Sequence, residues 1–213
     1  DLTTDIGILW GNKSNAFLHI SGTHGVEAYA GSAIQLYLIE RLAIQGLIKN
    51  TYNGPTIIFV HCLNPYGMKY GRRFNERNVD LNRNYCTPEE FSELNSEPPS
   101  DVYKDMNSWL NPEENRSVCE LTTNEKIKMA YYIARYGKTA IKQKVVGGQY
   151  NFPKGIFFGG NEVAQSHIRL TAFLKKTLPP SIKNLAILDV HTGIGPKGID
   201  TLLCNNANEY KPV

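Results

Sequence analysis

The chain has 213 residues, 41% hydrophobic and 20% charged, and a formal net charge of +3. That length suits one domain, 1–213, able to bury a core. A charge so small and so scattered argues against a nucleic-acid partner, and no apolar run approaches the roughly 18 residues of a membrane-spanning helix.

The first elements are two β-rich runs, DIGILW (5–10) and AFLHIS (16–21), separated by the turn-type cluster GNKSN. That grouping predicts a hairpin. From Ala30, apolar residues recur at helical spacing through Ala33, Ile34, Tyr37, Leu38 and Leu42, and Gly46 marks a stop near Leu47. PTIIFVHCL (55–63) is a continuous apolar run between turn residues, hence a buried strand. Strand, helix and strand in this order form a βαβ unit, so the fold class is α/β: a mixed, mostly parallel twisted sheet with helices on its faces.

Residues 64 to about 120 are polar and irregular, with SEPPSD and NPEENR as breakers, and read as long loops carrying short helices. A helix is expected over 122–146 with Thr122 or Thr123 as N-cap. The glycine-rich, aromatic stretch 146–161 reads as a shaped loop or hairpin. A second helix runs over 162–178 and stops at Pro179 and Pro180. NLAILDVHTG (184–193) reads as a buried strand entering a turn, and DTLLC (200–204) as a further strand. Both ends look cut, which makes the sequence read as a fragment of a longer chain. Cys62, Cys86, Cys119 and Cys204 share no short spacing. They read as free thiols, which favours a reducing, cytoplasmic compartment.

Chemistry concentrates in three places. His24 and Glu27 sit three apart where a strand gives way to a helix, with glycines at 22, 25 and 31 for a tight turn. Such a pair can share a zinc ion. It can equally be a carboxylate in a first helical turn beside a histidine bonded to a carbonyl. Asp189 and His191, two apart at a strand end, project from one face. His191 would complete a His, Glu, His set with an open fourth position, or it is a core histidine satisfied by a carbonyl. Between them, residues 64–85 interleave Arg72, Arg73, Arg77 and Arg83 with Asn75, Asn78, Asn82 and Asn84. Planar guanidinium forks suit anions and carbonyls; a solvated basic loop is the bland alternative.

HGVE, then NPYG with RR and VDLNRNY, then DVHTG resemble in order the zinc carboxypeptidase superfamily. The likeness is nearest to a bacterial branch classed as a domain of unknown function, with aspartoacylase and succinylglutamate desuccinylase as more distant relatives. It spans about residues 19 to 203. The resemblance implies a carboxypeptidase-like fold and one Zn²⁺ per chain held by His24, Glu27 and His191. A second ion near Asp189 is left open. It further implies that Asp80 bonds the His24 ring and that Asn82 and Arg83 grip a substrate carboxylate. Arg73, with Arg72 second, would polarise the scissile carbonyl. Tyr150 is a candidate substrate contact, set against simple packing within its loop.

The expected activity is zinc-dependent amide hydrolysis by activated water on a small peptide with a free carboxylate. N-acyl amino acid deacylation and a non-catalytic metal- or ligand-binding module are the alternatives. The superfamily's general-base glutamate would fall beyond Leu203, and Glu209, in a polar tail, is not assigned that role.

Overall fold

The computed structural model describes residues 1–113, 122–193, 199 and 201. Four strands form one sheet: β1 (Asp5–Leu9), β2 (Asn12–Ser21), β3 (Pro55–His61) and β4 (Asn184–Val190), in the order β1-β3-β2-β4. β2 runs parallel to both β3 and β4, and β1 is antiparallel to β3. The sheet is therefore mixed and mostly parallel, as the sequence predicts. The strand expected over DTLLC falls outside the described residues but for Thr201, as do Cys119, Cys204 and Glu209.

The expected hairpin does not form. GNKSN is a turn cluster, but its turn lies within β2, where the register slips between Asn12 and Ala16. The Asn12 carboxamide oxygen accepts the backbone N–H groups of Ser14 and Asn15, closing a local bend. Both edges of β2 are then taken by β3 and β4, so β1 pairs at the far edge of β3.

α1 (Ala28–Ile44) links β2 to β3, which are parallel neighbours, so the βαβ unit stands. Period-2 alternation assigns the two sheet faces. Ala16, Leu18, Ile20, Ile58 and Val60 join Leu63, Val79, Leu81, Phe158 and Leu170 in the main core. Each fully buried Val, Leu, Ile or Phe side chain of this kind contributes roughly 1.5–3 kcal/mol. His19 and Ser21 point the other way, under α1. There Gln35 donates to the Val60 and His19 carbonyls. The residues α1 buries are Ala28, Gly31 and Gln35, whereas Ile34, Leu36 and Tyr37 stay exposed. Small residues on the inner face let the helix lie close to the strands, so the bulkiest apolar positions of the periodic stretch end up outside.

The irregular middle carries α2 (Pro65–Tyr70), α3 (Pro88–Ser96) and α4 (Asp101–Leu110). α4 is more than a surface helix: its Tyr103 and Met106 join Val145 in a second core with Phe152, Ile156 and Phe157 against it. The long helix expected over 122–146 is divided into α5 (Thr123–Tyr136), α6 (Lys138–Ile141) and a π-helical turn, Lys142–Val146, with Gly137 at a φ of 77° as the break. Thr122 is its N-cap, in a capping box with Glu125. α7 (Gln165–Thr177) ends just before Pro179, and its Leu170 enters the main core. β4 is less covered than its sequence predicts. Among the described residues it lies at the sheet edge, and Leu185 and Ile187 are exposed. Among the described residues no helix is long and apolar enough to cross a membrane.

Candidate metal centre

The ends of β2 and β4 build the site. Gly22 follows β2 with a φ of 68°, and a Cβ there would lie 2.6 Å from the Ala28 Cβ and 2.7 Å from the Cys62 Cβ. Only glycine satisfies both the dihedral and the space. The chain then enters a 3-10 turn, Gly25–Glu27, pressed against α2: a Cβ on Gly25 would sit 2.2 Å from the Gly67 carbonyl carbon. Backbone bonds from Val26 N–H to the Arg72 carbonyl and from Glu27 N–H to the His24 carbonyl pin this turn. His24 and Glu27 consequently face one another, with Nδ1 and Oε1 3.2 Å apart.

β4 lies alongside with Asp189 opposite Ile20 and Val190 opposite Ser21, so its end delivers His191 beside His24. The His191 Nδ1 stands 3.1 Å from the His24 Nδ1 and 3.1 Å from the Glu27 Oε2. One ligand atom from each residue lies within 4.8 Å of the others, so the group could hold a metal ion. Ligands about 2.0–2.1 Å from a tetrahedral zinc are about 3.3 Å apart, close to the separations found here.

The opposite ring nitrogens decide which atoms face inward. His24 Nε2 is 3.1 Å from Oδ1 of Asp80, a fully buried carboxylate. Asp80 also accepts Arg73 Nε–H at 2.9 Å and the Asn82 backbone N–H at 3.0 Å. Burial works to raise its pKa, but the His24 bond and the Arg73 charge outweigh burial and hold it below the usual carboxylate range. An ionised carboxylate only accepts, so Nε2 carries the proton and Nδ1 offers its lone pair to the centre.

The same logic applies to His191. Its Nε2 lies 3.0 Å from Asp189 Oδ2, and Thr23 donates its hydroxyl to both Asp189 oxygens at 2.9 Å. The bonds to Asp189 and Glu27 push the His191 imidazole up to about 9, against the opposing effect of burial. Glu27 is itself partly buried, which works to raise its pKa. Bonds from His191, His24 and the Thr192 backbone N–H overcome burial and hold it well below the ordinary range.

Other residues singled out by sequence fall elsewhere. Arg73 belongs to the centre through Asp80, and its guanidinium lies 5.3 Å over the Phe157 ring. Arg72 is exposed, and its backbone carbonyl serves the 3-10 turn. Asn82 meets the centre through its backbone N–H. The Arg83 fork closes on the Val146 carbonyl at 2.8 and 3.2 Å, with a third bond to the Asn82 carbonyl. Tyr150 donates its hydroxyl to the Arg83 carbonyl at 2.8 Å, and its ring fills the space beside Gly159.

Several asparagines of the 64–85 segment are architectural. Asn75 accepts Arg77 and Val79 N–H groups, Asn78 holds the Pro153 and Gly155 carbonyls, and Asn84 ties Gly159, Glu162 and Ala164. Sequence reasoning missed Thr23, although it directly precedes His24 in a polar turn. It also missed Phe157, whose φ of 57° is rare for a bulky side chain.

An α/β chain with a His, Glu, His group able to hold a metal ion is the class that fold and site define. The chain belongs to the family described as Protein of unknown function (DUF2817), whose model matches residues 1–213. No curated protein and no solved structure matches it.

Proposed function

We propose that the chain is a zinc-dependent amide hydrolase of carboxypeptidase type, acting on a small peptide or N-acyl amino acid with a free carboxylate. The observation that carries this reading is the pair of inward Nδ1 atoms beside Glu27, each ring backed by its own carboxylate. Three protein ligands of this kind match the donor set of catalytic zinc, which keeps a further position open. The order of the HGVE, VDLNRNY and DVHTG motifs adds support through their likeness to zinc carboxypeptidases.

Zinc in such a site polarises a carbonyl and lowers the pKa of water to about 7. The chain's own groups do the rest. Arg73 is anchored by the Nε–H bond to Asp80, so its fixed positive charge stands ready for charge that develops on a substrate oxygen. Asp80 and Asp189 hold the two imidazoles in one tautomer and orientation. Arg83 and Asn82 are the proposed grip on the substrate carboxylate. A non-catalytic metal-binding module is the second reading. It is favoured by the Arg83 fork, which the Val146 carbonyl already occupies.

Metal analysis with a substrate panel separates the two. The hydrolase reading expects about one zinc per chain and chelator-sensitive release of amine from N-acyl amino acids or dipeptides. Stoichiometric zinc without turnover on either substrate class assigns the binding module. Absence of zinc removes both.

A further inference from the structure

Thr23 is fully buried between the two strand ends, and its hydroxyl faces the Asp189 carboxylate symmetrically, 2.9 Å from each oxygen. A hydroxyl has one proton and a carboxylate has none to give, so Thr23 is the donor and its single O–H is shared across both oxygens. The Tyr85 ring packs on His167 at 4.2 Å. Asp189 thus receives the Thr23 O–H and the His191 Nε2–H.

We infer that Thr23 is a positioning residue for the metal ligand His191, acting through Asp189. The Asp189 carboxylate is partly exposed, and its bond to Nε2 alone would leave it free to turn about the Cβ–Cγ axis. The threonine hydroxyl bridges both oxygens and stops that rotation. The Asp189 Oδ2 is thereby kept in line with His191 Nε2–H, and Nδ1 stays aimed at Glu27 and His24. Threonine suits the place because its methyl fills the buried strand-end position while its hydroxyl has a fixed direction from a stiff χ1. The inference rests on the metal-centre reading above, and its test is chosen so that the two can fail separately.

The experiment is zinc affinity, measured by competition with a chromophoric chelator on the full chain, for wild type, Thr23→Val, Thr23→Ser and Asp189→Ala. Valine keeps the volume and removes the donor, whereas serine restores it. Removing a group that orients a ligand typically costs 10–100-fold in metal affinity, so Thr23→Val is expected to weaken zinc by about tenfold. Thr23→Ser should stay within about threefold of wild type on the same scale. In the Asp189→Ala background Thr23→Val should change nothing further, because its partner is gone. Circular dichroism and unfolding midpoints in chelator confirm that each variant folds.

Wild-type affinity in Thr23→Val overturns the inference, and so do equal losses in the valine and serine variants or additive losses with Asp189→Ala. A wild-type chain that takes up no zinc at all overturns the metal-centre reading itself.

Discussion

The Nδ1 atoms of His24 and His191, 167 positions apart in the chain, stand 3.1 Å from each other. Two bare lone pairs at that distance repel, so the metal-free chain must keep a proton between them or nearby. His191 supplies it, because Asp189 and Glu27 push its imidazole up to about 9. A metal ion has to displace that proton.

Zinc binding near neutral pH should therefore release about one proton per ion, and zinc affinity should rise as pH climbs toward about 9. Calorimetry in buffers of different ionisation enthalpy measures the proton directly. Proton release near zero at pH about 7 would show that His191 is already neutral in the metal-free chain.

The stability of the metal-free chain should peak near the ordinary histidine value of about 6.5. His191 has a raised folded-state pKa, so its contribution is complete below about 6.5 and is lost as pH rises through about 9. His19 and His167 are pushed down by burial, so the unfolded chain takes up protons first as pH falls below about 6.5 and stability drops. Thermal unfolding in chelator across this range should trace a dome, and saturating zinc should flatten its alkaline side. A melting temperature that climbs steadily between about pH 7 and 9 in chelator contradicts the His191 environment described here.

Much of the fold is written locally. Thr122 with Glu125, Pro179 and Gly46 mark helix ends by chemistry that acts over a few residues, and those ends lie within a few positions of the expected ones. The pairing of β1 with β3 was not legible, because GNKSN describes a turn without saying whether two strands or one bent strand will contain it. The exposure of β4 was not legible either, since an apolar run reads the same at a sheet edge as at its centre. At the site, the three residues able to hold a metal ion were visible as motifs. Their partners depend on which strand ends meet: Asp80 was implied by resemblance, and Thr23 by nothing in the local pattern.

Asn84 illustrates the difference between a residue that binds ligand and one that shapes the site. It is almost fully buried, donates to the Gly159 and Glu162 carbonyls and accepts the Ala164 N–H. Asn84→Ala strands three backbone groups and should cost about 2–4 kcal/mol in urea unfolding. Asn84→Asp should do no better, since a carboxylate offers no donor to the two carbonyls. A loss below about 0.5 kcal/mol in both variants would mean that water replaces all three bonds.

Asp80 acts on the centre through its neighbours. Asp80→Asn keeps the shape but loses the charge that holds Arg73 and orients the Nε2–H of His24. Zinc affinity should fall by about 10–100-fold, with a smaller loss of stability in the metal-free chain. Unchanged zinc affinity would show that the His24 tautomer is set without Asp80, leaving the carboxylate as a structural partner of Arg73 alone.

The sharpest case is Arg83, because sequence and structure pull in different directions. Likeness of motif gives it a substrate carboxylate, whereas its guanidinium already donates to the Val146 and Asn82 carbonyls. A substrate anion can still win that competition: a bond from a guanidinium to a charged acceptor contributes about 1.5–3 kcal/mol, against about 1 kcal/mol for a neutral carbonyl. On the clamp reading, Arg83→Ala should lower kcat/KM for substrates with a free carboxylate by roughly 10- to 100-fold while leaving amidated analogues much less affected. Equal losses on free and amidated substrates, with a lowered unfolding midpoint, would assign Arg83 to the support of the Val146 turn and move the carboxylate grip to another residue.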